Sequence, residues 1–421
     1  MRNTFSPVDI AGGEVIFAEK IPEKEMGYFA ERVPTTRSIG AKASPRTPKA
    51  STSRRTRSVE VGGVLSSTPL RVVDLNHVGI FYDDEVEAVK FYANILGLSF
   101  TDVIPKIRAF FLRINSEHHT VSLFDRKRMT DRDDLLMQHS AWELGTFDDV
   151  TFAIRWLREN GVEPELICRR MPGSNYTVYF LDPEWNRIEL EFRMETVGWE
   201  GRPKPFELWE STMIYGKFPA KVDCLERETE QLRKRHGFFT DEKFRWTMDE
   251  AKFGSPLARV YDASGEVGER PFKLGRLSYY TLKCADLSRM ARFYSRILGL
   301  RILAKTPGSV ALAAPGNAYP DLILESGTRK DETERRMGAL CFEMRNYAEL
   351  RESIGYLRER GVKLRHIGRS KILGTDDGYC VDFDDPSGDP IRLSFSPRIH
   401  GLREVSKRQG GSKLPGVLNC A

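Results

Sequence analysis

The feature that most constrains this chain is that it repeats itself. Phe91-Tyr92-Ala93-Asn94-Ile95-Leu96-Gly97-Leu98 recurs as Phe293-Tyr294-Ser295-Arg296-Ile297-Leu298-Gly299-Leu300. Trp156-Leu157-Arg158-Glu159-Asn160-Gly161-Val162 recurs as Tyr356-Leu357-Arg358-Glu359-Arg360-Gly361-Val362, and Val178-Tyr179-Phe180-Leu181-Asp182-Pro183 as Val381-Asp382-Phe383-Asp384-Asp385-Pro386. The order is kept, and the copies stay about two hundred residues apart. A period that long is a whole domain, not a solenoid unit. Two homologous domains are therefore expected, at 71–195 and 273–398. They leave a tail at 1–70, a connection at 196–272 and a C-terminal tail at 399–421.

Each domain divides again. In the first, Val72–Tyr82 is apolar with breaks, as a strand is. Asp83 or Asp84 can cap a helix whose apolar face is Val86, Val89, Phe91, Tyr92 and Leu96, and Gly97 ends it. Strand-like runs follow at Ser99–Ile104, Arg108–Ile114 and His119–Phe124. The pattern then restarts with a strand at Ser140–Leu144 and a helix at Phe147–Asn160. Strands at Val162–Ile167, Thr177–Leu181 and Arg187–Phe192 complete it, with Asp182-Pro183 as the last turn. The fold class is α+β: four βαβββ modules, paired into two domains, each with a curved sheet and a concave face suited to a site.

The 421 residues suffice for sizeable cores, and 40% apolar and 30% charged residues are ordinary for a soluble protein. Basic residues gather with Pro, Ser and Thr between Arg32 and Arg57, which predicts a disordered, solvated tail. The folded part carries no matching basic face, so no nucleic-acid partner is expected. Asp9, Glu14, Glu19, Glu23 and Glu25 speak against a transit peptide. No apolar run approaches membrane-spanning length, so no membrane partner and a cytoplasmic location are expected. The six cysteines are scattered without metal-type spacing, as in a reduced protein. The connection carries a Glu- and Arg-rich helix at Val222–Arg235. Its aromatic residues, Trp199, Phe206, Trp209, Phe218, Phe238, Phe239 and Trp246, predict packing on the domains.

Of seven histidines, four lie in the first domain. His77 and His139 fall near the starts of equivalent strands, Glu189 on the last strand of the second half, and His119 on the last strand of the first. Either Glu189 or Glu191 is expected to face solvent. A lone strand histidine is ordinarily a satisfied core or surface residue. Joint placement changes that: four polar side chains at related positions should point into one concavity. Two imidazoles and one carboxylate make a facial triad, which suits Fe(II) and O₂ chemistry and also accepts Mn(II). The second domain is an internal control. Aligned on the repeat, His77 becomes Tyr279, His139 becomes Ala339 and Glu189 becomes Arg392, while the packing residues survive.

Leu75-Asn76-His77-Val78-Gly79, Phe91-Tyr92-x-x-Ile95-Leu96-Gly97-Leu98, His139-x-x-Trp142-Glu143-Leu144 and Asp182-Pro183-x-x-Asn186-Arg187-Ile188-Glu189-Leu190 together resemble the vicinal-oxygen-chelate superfamily. Within it the chain looks most like the type I extradiol catechol dioxygenases, which also have four modules and one active domain. That resemblance implies His77, His139 and Glu189 as ligands of Fe(II), His119 of Glu117-His118-His119-Thr120 as acid/base, and Tyr179 as a donor to substrate oxygen. Arg170 stands where the family has a histidine; with Tyr179 it would orient the substrate, but it cannot relay a proton at neutral pH. The implied partners are a small aromatic diol and O₂; the sequence allows a homo-oligomer without specifying one. Phe110, Phe111, Tyr176 and Trp185 are candidate pocket walls. In the familiar enzymes the second domain is the active one, whereas here it is the first. Two other readings share the fold. One is a glyoxalase-like lyase or isomerase with a fourth protein ligand near 119; the other is a metal-free small-molecule-binding module.

Overall fold

A computed structural model describes residues 59–61, 64–66, 70–104, 108–115, 117–129, 137–170, 175–192, 194, 214–215, 218, 270–327, 337–372 and 375–396. Most of the expected tail, the expected helix at Val222–Arg235 with most of the connection, and the C-terminal tail lie outside the described residues. The side chain of Arg170 does too.

After a small hairpin, β1 (Val59–Val61) with β2 (Val64–Ser66), the first sheet opens on β3 (Val72–Tyr82). Its remaining strands are β4 (Ser99–Ile104), β5 (Ala109–Arg113), β6 (Val121–Asp125), β7 (Met137–Leu144), β8 (Leu166–Arg170), β9 (Asn175–Leu181), β10 (Arg187–Phe192) and β11 (Ile214–Tyr215). Their order is β11-β8-β9-β10-β7-β3-β6-β5-β4. The second sheet holds β12 (Leu274–Cys284), β13 (Arg301–Lys305), β14 (Ser309–Ala313), β15 (Leu322–Ser326), β16 (Met337–Met344), β17 (Leu364–Ile372), β18 (Thr375–Asp384) and β19 (Pro390–Phe395), ordered β13-β14-β15-β12-β16-β19-β18-β17. Each sheet is two modules joined by an antiparallel pair of first strands, β3 with β7 and β12 with β16. The fourth strand of each module lies parallel to its first, as β6 beside β3 and β10 beside β7.

The helices follow their sequence signals. α1 (Glu85–Val89) starts where Asp84 accepts from the Glu87 N–H at 3.0 Å. It runs on through a wider turn, in which the Leu96 N–H bonds the Phe91 carbonyl five residues back at 2.9 Å. Gly97 stops it at φ 83°, a conformation where a side chain would also meet the Arg270 guanidinium. α2 (Phe147–Glu159) is capped by Thr146, and Arg71 clamps that end through Asp149 at 2.9 Å and 3.0 Å. α3 (Leu287–Phe293) and α4 (Tyr347–Glu359) repeat the design under Asp286 and Asn346.

The helix-side faces of both sheets share one core. Phe91 packs on Phe383, Phe180 on Phe293, and Trp142 on Tyr280, all across the domain boundary. Phe218, from the connection, is buried against Phe147 and Tyr176, as its apolar character predicted. Strand starts shift from expectation: β7 begins at Met137 rather than Ser140 and β9 at Asn175 rather than Thr177. The run expected at Val162–Ile167 forms a strand at Leu166–Arg170, because Gly161 (φ 76°) and the loop after it deliver the chain late. The strand expected from His119 starts at Val121 and leaves His119 in the loop before it.

Candidate metal centre

The seam between β3 and β7 pairs His77 with Ala141 and Gly79 with His139. On its flanks, β6 sets Ser122 beside Gly79, and β10 sets Glu189 beside Ala141. A local twofold at the seam therefore exchanges His77 with His139, and Glu189 with Ser122. Val78, Ile80, Trp142, Ile188 and Leu190 face the core. The alternating residues His77, His139 and Glu189 face the other side and converge, each buried.

His77 Nε2 lies 3.0 Å from His139 Nε2 and 3.5 Å from Glu189 Oε2, and His139 Nε2 lies 3.3 Å from the same oxygen. Donors bonded at about 2.0–2.2 Å to one ion stand roughly 3 Å apart, so this spacing fits a shared metal. The carboxylate gives a second test. Glu189 Oε1 accepts from Asn175 Nδ2 at 2.8 Å, whereas Oε2, the oxygen facing the imidazoles, is buried without a hydrogen-bond partner. A buried carboxylate oxygen left so is costly unless a cation meets it. Burial alone would raise the Glu189 carboxyl; with protons on the His77 and His139 rings, and with the Tyr179 hydroxyl, the group is held well below the usual carboxylate range, and a cation shared by the two rings would take the place of those protons. Among the described residues this is the one group of His, Cys, Asp and Glu side chains close enough to share an ion.

The other candidate residues fall around the triad. The His119 ring lies tilted against His77, 4.2 Å between centroids, and its Nδ1 is 3.0 Å from His118 Nδ1. Burial, reinforced by the His77 and His118 rings, holds its protonation well below the ordinary histidine range. It does not occupy the fourth twofold-related position; Ser122 does, with its hydroxyl buried. Tyr179 pairs with Glu189 in register, and its ring is 5.8 Å from His139. Arg170 pairs with Asn175 through the backbone. Glu191 shares the face of Glu189 and is equally buried, so neither carboxylate faces solvent; residues two apart on a strand point the same way. Of the proposed walls, Phe111 does face the site, 5.1 Å from His119. Phe110 and Tyr176 belong to the core, and Trp185 sits in the turn after Asp182 at φ 71°.

Sequence reasoning missed Phe124, 6.2 Å from His139, and the carboxamides of Asn76, Gln138 and Asn175. A signal was present for two of them: each histidine of the seam directly follows a carboxamide residue.

The second domain has the same seam with other residues. Tyr279 pairs with Cys341, and Arg392 lies beside Cys341. Tyr279, Ala339 and Arg392 thus stand in the places of His77, His139 and Glu189. Asp382, at the Tyr179 place, receives the Arg392 guanidinium at 2.7 Å and 2.8 Å, while Nη1 donates to the Tyr279 hydroxyl at 3.1 Å. The chain brings its own fixed positive charge to this centre.

The family model for the Glyoxalase/Bleomycin resistance protein/Dioxygenase superfamily matches residues 74–190 and 276–393, more than half of the chain. Among solved structures, the Mn(II)-bound glyoxalase from Novosphingobium aromaticivorans is similar at TM-score 0.52 and 14% identity, over 77% of this chain and 83% of that one. The 2,3-dioxygenase LapB from Pseudomonas sp. KL28 is similar at TM-score 0.53 and 12% identity, over 78% and 93%. Homoprotocatechuate 2,3-dioxygenase from Arthrobacter globiformis gives 0.52 and 15%, over 82% and 84%. At such identities the likeness is one of fold. No curated protein sequence matches the chain. No helix among the described residues is long and apolar enough to cross a membrane.

Proposed function

The chain belongs to the glyoxalase/bleomycin resistance protein/dioxygenase superfamily, and from that premise we propose that its first domain is an extradiol-type ring-cleaving dioxygenase acting on a catechol-like aromatic. His77, His139 and Glu189 would hold Fe(II), with Mn(II) the other ion the donor set accepts. The observation that carries this reading is Ser122. The glyoxalase-like reading calls for a fourth protein ligand near 119, and the nearby position related to Glu189 by the local twofold is Ser122. Here that position offers a small neutral hydroxyl, which leaves room for two vicinal substrate oxygens and O₂.

When bound, Fe(II) supplies Lewis acidity toward the diol and the electrons that O₂ chemistry needs. The chain's own residues supply the rest. His119, kept neutral by burial, would take a proton from a substrate hydroxyl and return it later. Tyr179, beside Glu189, would donate to a substrate oxygen, and Arg170 would orient the ring's substituent. Phe111 and Phe124 wall the site and exclude water. In the overall reaction the ring bond beside the diol breaks and both atoms of O₂ enter the product, giving a semialdehyde or keto acid.

The test is anaerobic loading with Fe(II), then O₂ uptake against a panel of catechols, with His139→Ala as control. Uptake with a yellow product, lost in the variant, is expected. Stoichiometric metal without O₂ uptake on any diol would overturn the dioxygenase reading in favour of the lyase or isomerase one.

A further inference from the structure

Neighbouring residues on a regular strand point to opposite faces, so residue i−1 cannot touch the ring of residue i. Two bulges break that rule here. Leu75 pairs with Trp142 and His77 with Ala141, which leaves Asn76 as an extra residue in β3. Gly79 pairs with His139 and Ile80 with Met137, which leaves Gln138 as an extra residue in β7. Each bulged residue directly precedes a histidine of the triad and is turned onto that histidine's face. Asn76 Oδ1 accepts from His77 Nδ1 at 2.8 Å, and Gln138 Oε1 accepts from His139 Nδ1. The Asn76 amide is held the right way round, because its Nδ2 donates to Glu117 Oε2 at 3.1 Å. Asn175 holds the far oxygen of Glu189 in the same manner.

With Nδ1 donating on both rings, both Nε2 atoms keep bare lone pairs. They face each other, and Glu189 Oε2, across 3.0–3.5 Å. Gly79 completes the arrangement: a Cβ there would stand 2.6 Å from the His139 ring. The second domain keeps both bulges and loses all of these side chains. Asn76 corresponds to Ser278, Gln138 to Gly338, Asn175 to Gly378, Glu117 to Ala318, and Gly79 to Thr281. Thr281 sits where Gly338 leaves space, since a Cβ at Gly338 would stand 2.1 Å from the Thr281 hydroxyl. Backbone geometry common to both domains is therefore not what these residues serve; they are present where the ligands are.

We propose that Asn76, Gln138 and Asn175 are positioning residues that present the metal-facing atom of each ligand through a neutral carboxamide, and that Gly79 supplies the clearance for the His139 ring. The proposal rests on the triad being a metal site. Partners of this kind ordinarily affect metal affinity by about 10–100-fold.

The test is Co(II) titration of the metal-free full-length chain, followed by equilibrium dialysis and visible absorption. The wild-type chain takes up one Co(II), and His139→Ala takes up none. Asn76→Leu, Gln138→Met and Asn175→Leu each weaken binding by about 10–100-fold and shift the Co(II) absorption. Gln138→Glu, which keeps the acceptor, restores both relative to Gln138→Met, and Gly79→Ala binds as poorly as His139→Ala. Metal-free unfolding shows each carboxamide variant to be folded, with its midpoint lowered by no more than one lost buried hydrogen bond accounts for. Carboxamide variants with wild-type affinity and spectrum would overturn the positioning role while leaving the triad intact. A wild-type chain that takes up no Co(II) would instead overturn the triad, and the positioning role with it.

Discussion

Tyr92 in the first domain donates its phenolic hydrogen to Asp385 in the second, 3.0 Å away. The repeat reciprocates: Tyr294 donates to Asp182 at 3.0 Å. The same exchange recurs nearby, with Trp156 donating to the Ile297 carbonyl at 3.1 Å and Tyr356 to the Asn94 carbonyl at 3.3 Å. Each domain thus seats the turn before its last strand on the first helix of the other. Burial pushes both phenols well above their ordinary range, so they remain donors at any working pH.

Tyr92→Phe and Tyr294→Phe should each cost about 1–3 kcal/mol, the price of leaving a buried carboxylate short of one charge-assisted hydrogen bond. The two contacts share no partner, so the double variant should lose close to the sum. Urea unfolding of the metal-free chain checks both. A cost near zero in either variant would mean that the cross-domain bond is not stabilising.

Asp182 adds a pH signature. Its carboxyl is pushed up to about 6 by burial, against the hydrogen bonds from Asn186, the Glu184 N–H and Tyr294. The unfolded chain has an ordinary value of about 3.9. A carboxyl raised on folding takes up its proton first in the folded state, so its contribution is fully present below pH ~4 and is lost as pH rises through about 6. Between pH 7 and 4, wild type should gain about 2 kcal/mol relative to Asp182→Asn, which cannot titrate. Urea midpoints of the pair across this range decide it; a constant difference would sink the assignment.

Much of this was legible beforehand, because packing residues and ligands leave different traces in a repeat. Phe91 and Phe293 persist as core, whereas His77 and Tyr279 part company, and that contrast pointed to the triad. What stayed hidden depends on single-residue register. Asn76 and Gln138 are bulged residues, and no composition marks a bulge. Strict alternation fails across them, so the facing side chains had to be seen. His119 was expected on a strand for the same reason; the chain bonds through Thr120 to Leu112 at 2.8 Å first, and Ser122 takes the symmetric place. The Tyr92–Asp385 pairing crosses domains, which spacing along a chain does not encode.

For the proposed chemistry, His119→Gln should keep Fe(II) and substrate affinity but lower kcat by about 10²–10⁴-fold, because it removes a proton carrier and no ligand. Tyr179→Phe should lower kcat less and raise KM. Steady-state kinetics with the preferred diol, together with metal content, separates these outcomes. Loss of iron from His119→Gln would make His119 a ligand instead.

In the second domain, Arg392→Ala should destabilise the chain by about 2 kcal/mol by stripping Asp382 and Tyr279 of their charged donor. The metal stoichiometry should stay at one per chain. Thermal unfolding and metal analysis of the same sample check both halves, and a second bound ion in the wild-type chain would contradict the arrangement.

That arginine has a further consequence. A guanidinium built into the chain cannot be stripped by a chelator, exchanged for a competing ion, or left empty when a metal is scarce. Starvation would therefore unload only one half of the molecule. The other half would keep its own charge on Asp382 and Tyr279, and Tyr294 and Asp385 would still meet the first domain's Asp182 and Tyr92.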